Sequence, residues 1–343
     1  MSQPVSVSVG SPKSSAAVII CSHNFFLRFT TLISPFVSLF GLVYIFIPKE
    51  GMSTGLLNSE AYPKFALFCA LIMVITIIVS AVGTKHTIPS LPKINKKESI
   101  SLLIKNTLTA FKMKSFRSVV FFTMMVYVAF GIGNSLTTYF LSFYFELNQN
   151  EIAVIIFSGG IAGLISLFIA PKMGEKFDKK LSVIISTILF GFFMASPYNF
   201  RLLGIFPENG SSSLLGAYLI LSTIGFTFLW TSMSLAYSMM ADVVDQYESI
   251  TKQRHEGLFF STMSFAYKLT VGFGYFFAGI LLKLISFPTQ TDINDIPTET
   301  ISKLGIIGGP VLMTIYFVSI LFIIKYPITK DVFKEIRKII QSK

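Results

Sequence analysis

Few residues in this sequence could do chemistry, and those few are charged groups set in or beside long apolar stretches. Lys268 lies about 11 residues, or roughly 16 Å of helix axis, inside the apolar run 257–285. A cation at the centre of a membrane-spanning helix costs about 2.5–3.5 kcal/mol on insertion scales, so it calls for a polar cavity and a counter-charge. Ser264, one turn earlier, adds a hydroxyl to the same helix face. A structural lysine bonded to backbone carbonyls is the alternative. The second group is MMADVVDQYESITKQRHEG, where Asp242, Asp245, Glu248, Lys252, Arg254 and Glu256 crowd both signs of charge at the end of an apolar run. Carboxylates at a helix C-terminus oppose its dipole by about 0.3–1 kcal/mol, so nearby Lys or Arg must offset them. This cluster reads equally well as a salt-bridge lock or as a solvated loop. A smaller charged turn, GEKFDKK, occupies 174–180. No HExxH, GxSxG, P-loop or CxxC spacing occurs, and His23, His86 and His255 all fall outside the apolar runs. Neither an enzyme nor a metal site is expected.

The elements that position these charges follow from composition. Of 343 residues, 52% are apolar and only 13% charged, against about 25% in soluble domains. With a mean hydropathy of +0.69 and 36 Phe, the polar area is too small to cover the rest. The chain is expected to be an all-α integral membrane protein, because its apolar runs are continuous rather than alternating. About eight runs are long enough to cross about 30 Å of hydrocarbon: 25–48, 65–84, 118–145, 152–171, 181–200, 214–241, 257–285 and 304–326. Residues 1–15 are polar and show no signal peptide. Small-residue pairs (Gly159 with Gly163, Gly274 with Ala278, Gly305 with Gly309) would let helices approach closely. Gly131–Gly133 and Gly272–Gly274 have the same reading. Cys21 and Cys69 are too few for a disulfide framework.

The net charge of +11 is a topology signal. Alternate connections hold about 21 of the 28 basic residues, which places them in the cytoplasm together with both termini. No nucleic-acid partner is implied; membrane lipid is. The chain divides into a tail (1–24), two spans (25–84), a basic linker with an amphipathic helix (85–117), a six-helix bundle (118–327) and a basic tail (328–343). That final tail is either an interfacial helix or a frayed end.

The stretch AYSMMADVVDQYESITKQRHEGLFFSTMSFAYK resembles the signature of the glycoside–pentoside–hexuronide:cation symporter family, the melibiose-permease-like branch of the major facilitator superfamily. Asp242, Asp245, Glu248, Arg254, Glu256 and Gly257 fall on that signature, and Lys268 falls where the family places a lysine in its penultimate helix. GTKHTIP at 83–89 is similar to the family's exit from helix six, and 174–180 to a superfamily loop motif. The resemblance implies a truncated major facilitator fold comprising family helices five to twelve. Family members carry acidic cation-binding residues on the first four helices. No Asp or Glu replaces them at mid-depth here, and Trp230 lies about a turn from the family's tryptophan.

Cation-coupled symport (sodium or proton) of a sugar or glycoside by alternating access is the implied function, with the truncated chain inactive by itself. A separate chain supplying four helices is the implied partner, and a bacterial inner (plasma) membrane the implied location. No cofactor beyond the coupling cation is expected. The implied pathway residues are Lys268, Ser264, Asn134, Tyr139 and Arg28, though snorkelling to the cytoplasm is the favoured reading of Arg28. Asn134 and Tyr139 could instead bond a neighbouring helix. Asp242, Asp245, Glu248, Arg254 and Glu256 are the implied cytoplasmic gate. A non-transporting membrane subunit, or the remnant of a disrupted transporter gene, is one alternative; a lysolipid carrier on the same fold is another.

Overall fold

The computed structural model describes residues 37, 40–47, 55, 58–85, 107–252, 254–288 and 296–342. Among them there are no strands, and seven helical segments are long and apolar enough to cross a membrane. Of the first expected run, residues 25–36 lie outside the described residues, which is why seven spans are seen rather than about eight.

The chain forms two units, Met1–Lys97 and Glu98–Lys343. In the first, α1 (Ala61–Thr84) is apolar on every side and leaves Leu67, Leu71, Ile75, Ile78 and Val82 exposed. A helix without a polar face fits hydrocarbon or other apolar helices, not water. A π-helical turn at Gly41–Ile45 precedes it, and Phe46 packs edge-on against Tyr62 and Phe65 at 5.0 and 5.3 Å.

The second unit is a bundle. Its spans are α2 (Lys114–Tyr139, continued by a π turn at Phe140–Tyr144), α3 (Gln149–Lys176), α4 (Lys179–Leu202), α5 (Ser212–Thr251), α6 (Glu256–Leu284) and α7 (Thr298–Ile306, a π turn at Ile307–Val311, then Leu312–Ile323). A terminal helix α8 (Lys330–Gln341) follows. Caps set several starts. Asn148 and Glu151 form a capping box at α3, while Asp178 caps α4 and Thr329 caps α8.

α6 packs on α2, α2 on α5, and α5 on α3, so these four stand in a row. α4 packs against α5, and α7 lies behind against α2 and α4. Two devices hold the bundle. Gly131 and Gly274 bring the backbones of α2 and α6 into contact, since a Cβ at Gly274 would lie 2.7 Å from the Gly131 Cα. Thr187 of α4 and Ser232 of α5 share a buried hydrogen bond of 2.8 Å. Of the other expected small-residue pairs, Gly305 meets the Tyr144 ring, whereas a Cβ added at Gly159 would stand in open space.

α5 runs ten residues beyond the expected apolar limit of 241. The charged stretch remains helical to Thr251 because Val243, Val244 and Tyr247 keep a buried stripe going through it. Lys252, at φ 63°, ends the helix in the left-handed region, leaving only 252–255 as the loop before α6.

Candidate functional site

The three exposures of α6 decide where Lys268 points. Phe259, Met263, Ala266, Thr270, Gly274 and Ala278 recur at three- and four-residue spacing and are buried. Phe265, Leu269, Phe273, Phe276, Ile280 and Leu284 form an exposed apolar stripe. Ser261, Ser264, Lys268, Gly272, Tyr275 and Gly279 form a third stripe, also exposed, of polar and small residues. One stripe faces the bundle, one suits lipid, and Lys268 and Ser264 lie on the one that suits neither. Among the described residues Lys268 makes no ion pair.

Neighbouring helices extend this polar face. Asn134 of α2 is exposed and its Nδ2 donates to the Tyr275 hydroxyl at 3.1 Å. Trp230, 38% exposed, Ser234 and Tyr237 share one face of α5 at helical spacing. At the level of Lys268 three tyrosines converge from three helices. Tyr127 of α2 meets the Tyr267 ring of α6 edge-on at 4.7 Å, and Tyr237 of α5 stands close to both. The stripe on α6 and the α5 face were readable as helical periodicity in the sequence; the tyrosine cluster, which depends on three helices meeting, was not.

Other expected pathway residues lie elsewhere. Tyr139 is half-buried in an aromatic cluster with Phe143 and Phe287, at 6.0 and 5.1 Å. Arg28 falls outside the described residues.

At one end of the bundle the charges are saturated. Arg254 Nη1 reaches Asp245 at 3.2 Å and Glu248 at 2.6 Å, while its Nε and Nη2 both donate to Glu256, Nε at 2.8 Å. Burial weakens the Arg254 charge, but the hydrogen bonds to Glu256 and Glu248 outweigh it and raise the guanidinium pKa above its ordinary value. Asp242 does not join this group. Its carboxylate, buried, takes the Lys179 ammonium of α4 at 2.7 Å on both oxygens. Sequence spacing could not pair residues 63 positions apart. The same end is tied by Ser115 to Gln246 at 2.5 Å and by Tyr326 to the Met239 carbonyl at 3.2 Å. α8 docks there through Ile336, with Lys330 donating to the Glu175 carbonyl at 2.6 Å. Lys179 and Arg337 both lie over the Phe333 ring, at 5.3 and 5.2 Å. Among the described residues no three His, Cys, Asp or Glu side chains stand close enough to hold a metal ion.

Seven membrane-length helices, with a polar face on the bundle, define an integral membrane protein. Residues 19–330 match the family described as MFS/sugar transport protein, and the chain belongs to it. It is 25% identical over 244 residues to an uncharacterised symporter of Synechocystis sp., covering 70% of this chain and 43% of that protein. It is 24% identical over 226 residues to an uncharacterised symporter of Bacillus subtilis, covering 64% of this chain and 43% of that protein. The chain thus spans less than half the length of these relatives.

Proposed function

We propose that the bundle is one half of a secondary transporter, and that it works in cation-coupled symport (sodium or proton) of a hydroxylated solute such as a sugar or glycoside. The observation that carries this is Lys268, an exposed cation about 18 Å along α6 with no partner among the described residues. A charge at that depth is stable only against water, a solute or a carboxylate. Ser264, Ser234, Asn134 and Tyr275 offer hydroxyl and amide groups beside it, and Trp230 offers an apolar ring, a combination suited to sugars, which present hydroxyls and a C–H face. The opposing wall must come from outside this bundle, whether from the same polypeptide or a separate chain. Family membership and the symporters of Synechocystis and Bacillus subtilis support the same reading. In alternating access, the Arg254 cluster and the Lys179–Asp242 pair would brace the closed end. By the skew of basic residues, that end faces the cytoplasm.

Purified 343-residue chain in liposomes, alone and with the N-terminal helices of a relative co-reconstituted, tests this. Radiolabelled glycoside uptake should depend on a sodium or proton gradient in the competent form, and a cysteine placed at Ser342 should label only from the cytoplasmic side. Gradient-independent leakage in both preparations would sink the transport reading.

A further inference from the structure

The end of the bundle opposite the charged cluster carries a cation that no described carboxylate answers. Arg201 stands in the last turn of α4, its guanidinium over the Tyr144 and Phe145 rings at 5.2 and 5.5 Å. Among the described residues it makes no ion pair, whereas Lys303 at the same end holds Glu299 at 2.7 Å. Three buried side-chain atoms among the described residues lack a hydrogen-bond partner: Ser142 Oγ, Arg201 Nη1 and Asn209 Oδ1. All three border Tyr144. Ser142 shares its π turn, Arg201 covers its ring, and Asn209 Nδ2 donates to its carbonyl at 3.4 Å. Ser142 is the most enclosed of them, 6% exposed. An unpaired buried polar atom is costly and rare, so three around one residue mark a corner completed from outside the chain.

The chain around Arg201 indicates the partner. α4 exposes Leu181, Ile188 and Phe192 along its length, as a helix against lipid does. It ends in a Schellman turn, with Gly204 at φ 73° donating to the Arg201 carbonyl at 3.0 Å and Ile205 to the Phe200 carbonyl at 2.9 Å. Beyond it Leu203 and Ile205 are 71% and 69% exposed. Two such side chains just past the end of a membrane helix suit the boundary between acyl chains and headgroups, so the guanidinium stands at phosphate level. We propose that Arg201, Ser142 and Asn209 hold the headgroup of one phospholipid in the leaflet opposite the charged end. The phosphodiester takes the edge of the half-buried guanidinium that the two rings leave open, a planar fork matched to two phosphate oxygens. The Ser142 hydroxyl adds a donor to the same anion. The Asn209 oxygen takes a proton donor from an ethanolamine or glycerol headgroup, and Leu203 and Ile205 border the acyl chains. None of these residues lies on the stripe of Lys268, so the site is filled whether or not a solute is bound.

Native mass spectrometry of the delipidated full-length chain, titrated in detergent with phosphatidylethanolamine, phosphatidylglycerol or diacylglycerol, counts bound lipid directly. Wild type would be compared with Arg201→Gln, with Arg201→Lys, and with Lys283→Gln, which removes an exposed cation from the last turn of α6 at the same end. The expected result is one phospholipid bound at least ten-fold tighter by wild type and Lys283→Gln than by Arg201→Gln, with diacylglycerol bound weakly by all. Arg201→Lys keeps the charge but gives up the fork, so it should lose affinity several-fold; it carries the comparison if Arg201→Gln does not fold. Equal phospholipid binding by wild type and both Arg201 variants would overturn the site. An equal loss in Lys283→Gln would reduce it to general attraction of headgroups to positive charge, and equal binding of diacylglycerol to apolar contact; either overturns the proposal. Displacement of the phospholipid by millimolar inorganic phosphate would give Arg201 to a free anion and overturn the lipid assignment.

Discussion

The charged end of the bundle and its polar face carry the same residue types but stand in opposite states. At the end, every carboxylate of the α5 signature has a cation: Asp242 holds Lys179, while Asp245, Glu248 and Glu256 share Arg254. On the face, Lys268 and Ser264 point away from the bundle with no partner among the described residues. The first region is finished within one bundle and so behaves as structure. The second is half of something, because an unpaired midplane cation is costly unless a second wall or a solute completes it. Charges that satisfy one another hold a conformation; a charge left open can respond to what binds.

The largest effect expected from this contrast is at Lys268. Lys268→Ala should lower coupled uptake by about 100-fold or more, as removing a charge that acts only on the bound solute does. Its thermal stability should hold or rise, since removing an uncompensated cation relieves a cost of about 2.5–3.5 kcal/mol. Uptake with a gradient and thermal unfolding of the same preparation check both halves. A large stability loss with proportionate activity loss would make Lys268 a structural residue and erase the contrast.

At the charged end the order should reverse, with stability moving first. Lys179→Met strands the buried Asp242 carboxylate, whose second neighbour Arg337 lies over Phe333. Leaving a buried charged acceptor unpaired costs about 1–3 kcal/mol or more. The double variant Lys179→Met/Asp242→Asn should recover much of this, because it removes the orphaned charge along with its partner. Denaturation midpoints of wild type, both single variants and the double variant form the cycle. Additive losses would show that the two residues act independently.

Much of this was legible before any coordinates. Continuous apolar runs fixed seven spans to within a few residues at most ends, because hydrocarbon thickness leaves little freedom in helix length. The charged signature on α5 and Lys268 on α6 were visible as polar residues out of place in apolar sequence. Three things were not legible, each for a physical reason. α5 continues to Thr251 because tertiary burial of Val243, Val244 and Tyr247 sustains a helix through charges that composition assigns to a loop. Asp242 chose Lys179 over the nearer Arg254 because α4 begins beside it, and sequence distance is blind to that. Tyr139 and Asn134 read alike as polar groups on one span, but they stand five residues and more than a full turn apart, and the packing of Tyr139 against Phe143 and Phe287 depends on the fold.

The smallest effect, and the one that separates a lock from ornament, belongs to Arg254. Its side chain is 40% exposed and its three carboxylates are 15–34% exposed, so water screens each pair. Such pairs are worth about 0–1 kcal/mol each, and Arg254→Ala should move the unfolding midpoint no further than about 1 kcal/mol implies. Removing it nevertheless leaves three carboxylates together at a helix C-terminus and a helix N-terminus. Asp245 and Glu248 there oppose the α5 dipole, and Glu256 lies beside them at the start of α6. Their mutual repulsion would push the end of α5 away from the start of α6 and loosen that end of the bundle. An equilibrium between closed and open ends balanced within a few kcal/mol needs only a small bias to shift. The variant should therefore fold and insert as wild type does while exposing the polar face more readily from the charged end. Alkylation of a cysteine placed at Ser264, by membrane-impermeant reagents added to either side, measures this. The expected outcome is a several-fold faster reaction from the charged end and a slower one from the other. Unchanged rates from both sides would reduce the Arg254 cluster to a solvated corner, and would leave the Lys179–Asp242 pair as the brace at that end.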